Sequence, residues 1–162
     1  MIEALIGYKL HPNIIDKIAK LYDGDSTNIK LGEEEIKLKI TSGIKQGCPL
    51  STTLFKIITY IILNELEEKG KGFEIENILL LALFFADDSL LIADSIENAR
   101  HNLKILIEAS KKFGLNVNEA KCKILIFKGE KKKRDTNIEA EEIKEIEGIE
   151  IVESLKYLGV NI

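Results

Sequence analysis

The chain has 162 residues, of which 45% are apolar and 31% charged, a composition that excludes a disordered chain and fits about one folded domain. Its formal net charge of −4 argues against the chain being a strong nucleic-acid binder by itself. The longest uninterrupted apolar stretch, residues 78–86, is too short to span a bilayer, which takes about 20 residues, so we expect no membrane partner. The N-terminus has no secretory pattern and the two cysteines form no disulfide framework, so we expect an intracellular protein of the cytoplasm or nucleus.

Two elements are predicted at the start of the chain. The first is a short amphipathic helix after Pro12, whose apolar residues recur at helical spacing: Ile14, Ile15, Ile18, Leu21 and Tyr22. The second is a β-hairpin, because apolar and polar residues alternate over Thr27–Leu31 and Ile36–Ile40, with Gly32 in the turn. We therefore expect a helix followed by a two-stranded unit.

A loop that contains two glycines leads into the longest predicted helix. The loop covers residues 41–47, and Pro49 with Ser51 begins the helix. Lys69 and Gly70 end it. The apolar residues of this helix are Leu54, Ile57, Ile58, Ile61 and Leu66.

An adjacent pair of aspartates, Asp87 and Asp88, follows this helix. Apolar runs lie on both sides, at residues 78–84 and 90–93, which predicts a β-hairpin with the carboxylates at its turn. Adjacent carboxylates repel each other, and a divalent cation relieves that repulsion, because Mg²⁺ is typically held by one or two carboxylates plus substrate phosphates. From these residues alone, the pair is either a metal platform for phosphoryl chemistry or an ordinary turn, in which Asp is favoured.

A second long helix is predicted after the acidic segment. Asp94 and Glu97 are spaced as a capping box, with Asp94 as the N-cap residue. Gly114 supplies a C-terminal residue with left-handed backbone. One side of the helix is apolar and carries Ile96, Leu103, Leu106, Ile107 and Phe113.

The rest of the chain is predicted to contain strands. Lys123–Lys128 is predicted as one strand and Ile149–Ile162 as a terminal hairpin. The charged loop between them carries a basic cluster, residues 128–134, which either is solvated or contacts phosphate. In order, the elements predict an α+β fold, in which a mostly antiparallel sheet carries the acidic hairpin and two long helices pack on one face.

Four segments occur in a characteristic order: Thr41–Phe55, Phe85–Asp88, Gly114–Lys121 and Tyr157–Val160. Together they closely resemble sequence blocks B, C, D and E of reverse transcriptases of the non-LTR retrotransposon type, and they span nearly the whole chain. The resemblance implies a palm-like antiparallel sheet with incomplete fingers and no thumb. It also implies three parts in this partial reverse transcriptase domain. Residues 1–47 would be a junction of fingers and palm, residues 48–128 the palm core, and residues 129–162 a charged loop with a terminal hairpin.

The resemblance implies a role for each matched residue. The catalytic residues would be Asp87, Asp88 and Lys121. Nucleotide or template would be bound by Gly43, Gln46 and Gly47. The primer would be positioned by Tyr157 and Gly159. The two aspartates would hold Mg²⁺ or Mn²⁺, the lysine would assist the pyrophosphate leaving group, and the glycines would permit close backbone approach to a nucleotide. The alternative for the glycine loop is a plain loop that leads into a helix. The alternative for Lys121 is a solvated lysine at a strand edge, and for Tyr157 and Gly159 it is an ordinary hairpin.

The chain also departs from the family pattern. Thr52 replaces the proline usual after Ser51, and Cys122 stands where a small hydroxyl residue is commoner. Family polymerases use a third aspartate, on a strand upstream of the helix at Lys20–Tyr22, and no aspartate of this sequence matches it. We therefore expect a segment of an RNA-directed DNA polymerase that uses an RNA template, a DNA primer and dNTPs, and that is inactive alone. The alternative is a non-catalytic palm that acts as an interaction or nucleic-acid-binding module.

Overall fold

The computed structural model describes residues 1–24, 26–40, 43, 47–127, 145–146 and 148–162. These residues divide into two compact units, Met1–Asn116 and Val117–Ile162. Helices and strands are both present, which confirms the α+β class predicted from the sequence. No helix in the described ranges is both long enough and apolar enough to cross a membrane.

The N-terminal unit contains four helices and six strands within its described residues. Their bounds are α1 Ile2–Gly7, α2 Pro12–Tyr22, β1 Ser26–Leu31, β2 Glu34–Lys39, α3 Pro49–Lys69, β3 Phe73–Ile75, β4 Ile78–Leu80, β5 Ala82–Phe85, β6 Asp88–Leu91 and α4 Ile96–Lys112. The described part of the C-terminal unit contains a 3-10 helix and five short strands. Their bounds are Glu119–Lys121 for the 3-10 helix, then β7 Lys123–Leu125, β8 Glu145–Ile146, β9 Ile149–Val152, β10 Lys156–Tyr157 and β11 Val160–Asn161.

An apolar cluster joins α1, α2 and α3. Leu5, Ile18 and Leu54 are buried there, and partly buried apolar residues pack against them: Ile2, Leu10, Ile15, Tyr22, Leu50 and Ile57. Ile14 and Leu21 were expected on the same face of α2, but they are 47% and 65% exposed. The buried stripe of α2 is therefore narrower than the apolar periodicity predicted.

Helix α3 extends beyond this cluster and packs against α4. Every fourth residue of α3 is buried along one stripe, namely Leu54, Ile58, Ile62 and Leu66. The buried residues of α4 are Asn102, Ile105, Leu106, Ala109 and Ser110. Asn102 is polar and fully buried, and both ends of its amide bond the backbone of Lys71. Its Nδ2 donates to the Lys71 carbonyl oxygen at 2.8 Å, and its Oδ1 accepts from the Lys71 N–H at 2.8 Å.

The start of α4 differs from the predicted capping box. Ser95, not Asp94, is the N-cap residue, and its Oγ accepts a hydrogen bond from the Asn98 N–H at 3.2 Å. The helix therefore begins one residue later than predicted, which moves Glu97 to the second helical position and rules out the reciprocal bond of a capping box. Asp94 instead accepts a hydrogen bond from the Asn98 side chain at 2.6 Å.

The strands form small separate sheets rather than one larger sheet. Within the described residues, β1–β2, β3–β4, β5–β6 and β10–β11 are antiparallel pairs, and β7, β9 and β8 form a three-stranded sheet. In this last sheet β7 and β9 are parallel. The single mostly antiparallel sheet that we expected is thus not formed among these residues.

The apolar run at residues 78–84 belongs to two hairpins. Ile78–Leu80 is β4, which pairs with β3, whereas Ala82–Phe85 is β5, which pairs with β6. Leu81 separates the two strands and is buried. The sequence predicted a single strand here because apolar periodicity carries no mark of a change in partner.

The predicted terminal hairpin is shorter than Ile149–Ile162. Ile149–Val152 joins the three-stranded sheet as β9, and only β10 and β11 form the hairpin. Backbone bonds between Leu155 and Ile162, at 3.0 and 2.8 Å, close its open end. The predicted strand Lys123–Lys128 is likewise shorter in the structure, since β7 ends at Leu125.

Candidate active site

The acidic pair lies at the turn of a tight hairpin, as predicted. Phe85 pairs with Asp88 across β5 and β6, so the turn consists of Ala86 and Asp87 alone. Ala86 has φ of 52°, in the left-handed region that a residue with a Cβ rarely adopts. The turn therefore carries local backbone strain where the two carboxylates are presented.

The two faces of this hairpin differ in exposure. Leu83, Phe85, Asp88 and Leu90 share one face, because residues opposite each other in an antiparallel pair point the same way. Leu83 is 50% exposed and Phe85 62% exposed, so this face is open. The other face carries the half-buried Phe84 and Leu91, and β6 contacts α4. Asp88 therefore projects from the open face, beside an exposed aromatic ring.

The carboxylates of Asp87 and Asp88 fit part of a divalent metal site. Both side chains are exposed, and no described Lys or Arg forms an ion pair with either. Carboxylate oxygens are the ligands that Mg²⁺ and Mn²⁺ prefer. However, no group of three or more His, Cys, Asp or Glu residues able to hold a metal is present in the described part of the chain. The pair thus suits a cation that takes its other ligands from water or from substrate phosphates.

The loop before α3 needs glycine at two of its predicted site positions. Gly43 has φ of 91° and Gly47 has φ of 80°, a backbone conformation that residues with a Cβ adopt only under strain. Chain neighbours aside, no atom of the described residues lies within 4 Å of where a Cβ would stand on either glycine. The backbone is therefore accessible to a ligand at both positions. Gln46, the third residue of this predicted group, lies outside the described residues, as does the basic cluster 128–134.

Sequence reasoning missed a polar contact that joins α2 to the start of α3. The Tyr22 hydroxyl lies 3.1 Å from Ser51 Oγ and 3.9 Å from Cys48 Sγ. The backbone N–H groups of Leu50 and Ser51 lower the pKa of the Cys48 thiol, with a smaller contribution from Tyr22. The contact was hard to foresee, because residues 22 and 51 carry no sequence signal of their proximity. It fixes the N-terminus of α3, next to the glycine loop.

The remaining predicted residues belong to the C-terminal unit. Lys121 is exposed at the end of the 3-10 helix, and its N–H bonds the Asn118 carbonyl oxygen at 3.0 Å. Tyr157 is half-buried and pairs with Val160, and Gly159 lies in the turn with φ of 87°. Each of these residues therefore occupies a defined local structure. Their catalytic and primer-positioning roles stay predictions.

Cys122, which departs from the family pattern, makes a local hydrogen bond. Its Sγ donates to the Asn118 carbonyl oxygen at 3.4 Å. Burial raises the pKa of the thiol, with a further contribution from the nearby Glu119 carboxylate. The Cys122 side chain therefore links the two ends of the 3-10 helix segment, residues 118–122.

Comparisons with known proteins identify the family of the chain. The family model described as reverse transcriptase (RNA-dependent DNA polymerase) matches residues 4–162. A retrovirus-related Pol polyprotein from the type-1 retrotransposable element R2 of Bradysia coprophila is 31% identical, over 99% of this chain and 19% of that protein. A similar polyprotein from the type-2 retrotransposable element R2DM of Drosophila melanogaster is 29% identical, over 98% of this chain and 15% of that protein. The chain thus spans less than a fifth of the length of these relatives. It belongs to the reverse transcriptase family, in its non-LTR retrotransposon form.

Proposed function

We propose that the chain contributes part of the palm of an RNA-directed DNA polymerase. The parent enzyme would transfer a nucleotide from a dNTP to the 3′-hydroxyl of a DNA primer on an RNA template. The observation that carries this proposal is the acidic hairpin, which exposes Asp87 and Asp88 at a two-residue turn, with no ion pair to a described residue. One or two carboxylates, completed by substrate phosphates and water, are the usual ligands of Mg²⁺ in phosphoryl-transfer sites.

The mechanism assigns separate tasks to the residues of this chain. Asp87 and Asp88 would hold the divalent cation, which when bound would stabilise the charge that develops on the attacking and leaving oxygens. The backbone at Gly43 and Gly47 would lie against the nucleotide, since no Cβ blocks its approach. The exposed Lys121 ammonium would compensate charge on the departing pyrophosphate.

The other site residues complete the proposal. Tyr157 and Gly159 would position the primer end, and Gln46 would lie near the template base, where its amide can both donate and accept. In domain terms, residues 1–47 would form the junction of fingers and palm, and residues 48–128 the palm core. Residues 129–162 would supply the charged loop and terminal hairpin. The small hairpins of the chain would be pieces of the sheet of the complete palm.

We propose further that the 162-residue chain has no polymerase activity by itself. Two carboxylates are available at the hairpin, and the described residues supply no third metal ligand beside them. Loss of a metal ligand removes transition-state charge stabilisation and commonly lowers the rate by orders of magnitude. Incubation with a primed RNA template, dNTPs and Mg²⁺ or Mn²⁺ is expected to give no extension. Template-dependent extension by the chain would contradict this proposal.

Paramagnetic broadening by Mn²⁺ tests the metal platform directly. In an NMR titration, we expect the amide signals of residues 85–89 to broaden, with a dissociation constant no tighter than about 1 mM, because most ligands would be water. The broadening should disappear in Asp87→Asn/Asp88→Asn. Glu67→Gln/Glu68→Gln is the matched control, since it removes another adjacent and exposed carboxylate pair, on α3. Broadening centred on Glu33–Glu35, with the hairpin unaffected, would refute the metal platform.

The second candidate function is a non-catalytic palm that acts as an interaction or nucleic-acid-binding module. The lack of a third metal ligand among the described residues favours it. The two functions are separated by the role of the acidic pair, because an interaction module would bind nucleic acid equally well with or without divalent metal. Binding of a primed RNA template that strengthens with Mg²⁺, and does so only when Asp87 and Asp88 are intact, would favour the polymerase segment.

A further inference from the structure

The β1–β2 hairpin sorts its side chains by charge onto two faces. The register pairs Asn28 with Lys37, Lys30 with Glu35 and Ser26 with Lys39. Because paired residues point to the same side of an antiparallel pair, these six residues share one face. The opposite face carries Thr27, Ile29, Leu31, Glu34, Ile36 and Leu38. One face is thus hydrophilic and rich in lysine, and the other is largely apolar.

The charge on the lysine face, defined as Ser26, Asn28, Lys30, Glu35, Lys37 and Lys39, is a product of the fold. In the sequence, Lys30, Lys37 and Lys39 are offset by the three acidic residues Glu33–Glu35, so the segment has no net charge. In the hairpin, three lysines and one glutamate share a face, which gives it a formal charge of +2. Pairing of the strands therefore creates a basic surface that composition alone conceals.

The lysines of this face are free of ion pairs among the described residues. Elsewhere in the chain Lys20, Lys69, Lys112 and Lys123 each pair with a carboxylate. Lys30 stands directly opposite Glu35 in the register, yet no ion pair forms between them in the described structure. All residues of the lysine face except Ser26 are exposed. Their ammonium groups are therefore available to an external anion.

The spacing of the lysines suits a chain of phosphates. Lys37 and Lys39 are two residues apart on β2, which separates them by about 6.8 Å along the strand. Lys30 is the diagonal neighbour of Lys37 across the pair, at roughly 7–8 Å. The three lysine positions therefore form a stripe of neighbouring positive charges, which a run of backbone phosphates can follow. Ser26 and Asn28 flank the stripe as neutral hydrogen-bond donors.

We propose that the lysine face binds the phosphate backbone of single-stranded RNA. The inference rests on the proposed function, because β2 ends at Lys39, a few residues before the Gly43–Gly47 loop that would meet the template base. The hairpin would then guide the template strand towards that loop. A backbone contact of this kind contributes affinity without sequence preference and weakens as the salt concentration rises.

The test measures the binding of an unstructured, fluorescein-labelled RNA 20-mer to the full chain by fluorescence anisotropy at several salt concentrations. Each lysine that contacts phosphate contributes about 0.7 to the slope of log affinity against log salt on a single strand. We expect Lys30→Gln/Lys37→Gln/Lys39→Gln to reduce that slope by about 2. The control is Lys17→Gln/Lys104→Gln/Lys111→Gln, which removes three exposed lysines from α2 and α4 and should leave the slope unchanged.

Two neighbouring glutamates provide a sharper comparison. Glu35 lies on the lysine face and Glu34 on the apolar face, so Glu35→Gln and Glu34→Gln change the net charge equally. We expect Glu35→Gln to tighten RNA binding about two- to five-fold and Glu34→Gln to leave it unchanged. This pair also decides the matter if the triple lysine variant does not fold.

The outcomes separate this inference from the proposed function. RNA binding with equal salt slopes for the two lysine variants, or with equal affinities for the two glutamate variants, would overturn the hairpin inference alone. Failure of the unaltered chain to bind RNA at all, at low salt and micromolar protein, would overturn both the hairpin inference and the proposed template partner.

Discussion

Replacement of Asn102 by alanine is expected to be the most damaging change among the polar residues of α4. The Asn102 side chain is fully buried, and its amide bonds both the N–H and the carbonyl oxygen of Lys71 at 2.8 Å. Lys71 follows the C-terminus of α3, so these bonds join α4 to the segment that leads into the β3–β4 hairpin. Asn102→Ala removes both bonds and leaves two backbone groups of Lys71 without their partner.

The magnitude follows from these two contacts. Each hydrogen bond contributes about 1 kcal/mol net, and a buried backbone group left without a partner costs about 1–3 kcal/mol. Because Lys71 is itself exposed, water can reach part of its backbone, so a total of about 3 kcal/mol is expected. For a chain of this size, that corresponds to a decrease in Tm of roughly 6–12 °C.

Thermal unfolding followed by circular dichroism measures the effect. Asn98→Ala is the matched control, since among the described residues its side-chain amide bonds the Asp94 side chain alone, and we expect it to lower Tm by less than about 2 °C. Asn102→Asp should be at least as damaging as Asn102→Ala at pH 7, because it sets a carboxylate oxygen against the Lys71 carbonyl. The decrease in Tm caused by Asn102→Asp should become smaller at acid pH, where the protonated carboxylic acid can donate a hydrogen bond. Equal Tm values for Asn102→Ala and Asn98→Ala would refute the reasoning.

Two further predictions concern charged residues. Asp87→Asn/Asp88→Asn should melt at the same temperature as the unaltered chain or a few degrees higher in the absence of metal, because the exposed carboxylates repel each other; a marked decrease would show that the pair is structural. Glu65 accepts hydrogen bonds from Lys112 at 2.7 Å and Lys69 at 2.6 Å. Both contacts lower the pKa of its carboxyl group, and the contact with Lys112 has the larger effect. Since the pKa is lower in the folded state, the stabilisation is complete above the unfolded pKa of about 4.3 and is lost as the pH falls through the folded value. Glu65→Gln should therefore cost about 1 kcal/mol at pH 7 and progressively less below pH 4, and a constant deficit across this range in urea titrations would contradict the assignment.

The features that the sequence predicted correctly are those with a local signal. Alternation around Gly32 located the β1–β2 hairpin to within two residues at each end. The C-terminal glycine of α4 was also predicted, and Gly114 has the left-handed φ of 74° expected of it. The acidic turn was located because two polar residues interrupt an apolar run. Each of these signals depends on residues that are neighbours in the chain.

The features that were missed depend on residues distant in the chain or on a choice between equivalent neighbours. Asn102 is buried because its partner is Lys71, which lies 31 residues away and offers only backbone atoms. Asp94 and Ser95 are both good N-cap residues, and the extended backbone of Ser95 decides between them. Apolar residues 78–84 likewise divide between two hairpins according to strand partners that no periodicity encodes.

The acidic turn is exposed at its tip and firmly held at its base, which separates its chemistry from its stability. At the base, Leu81 is buried, and its carbonyl oxygen accepts a hydrogen bond from the Ile92 N–H at 2.8 Å. A Cβ on Gly70 would lie 3.0 Å from Leu81 Cδ1 and 3.1 Å from Asn102 Oδ1, so these three residues meet at one crowded point. Changes there should alter the position of the whole hairpin, whereas changes at Asp87 and Asp88 should alter only what the tip can bind. A loss of metal binding without a decrease in Tm therefore identifies a tip residue, and a loss of metal binding together with a decrease in Tm identifies a residue of the base.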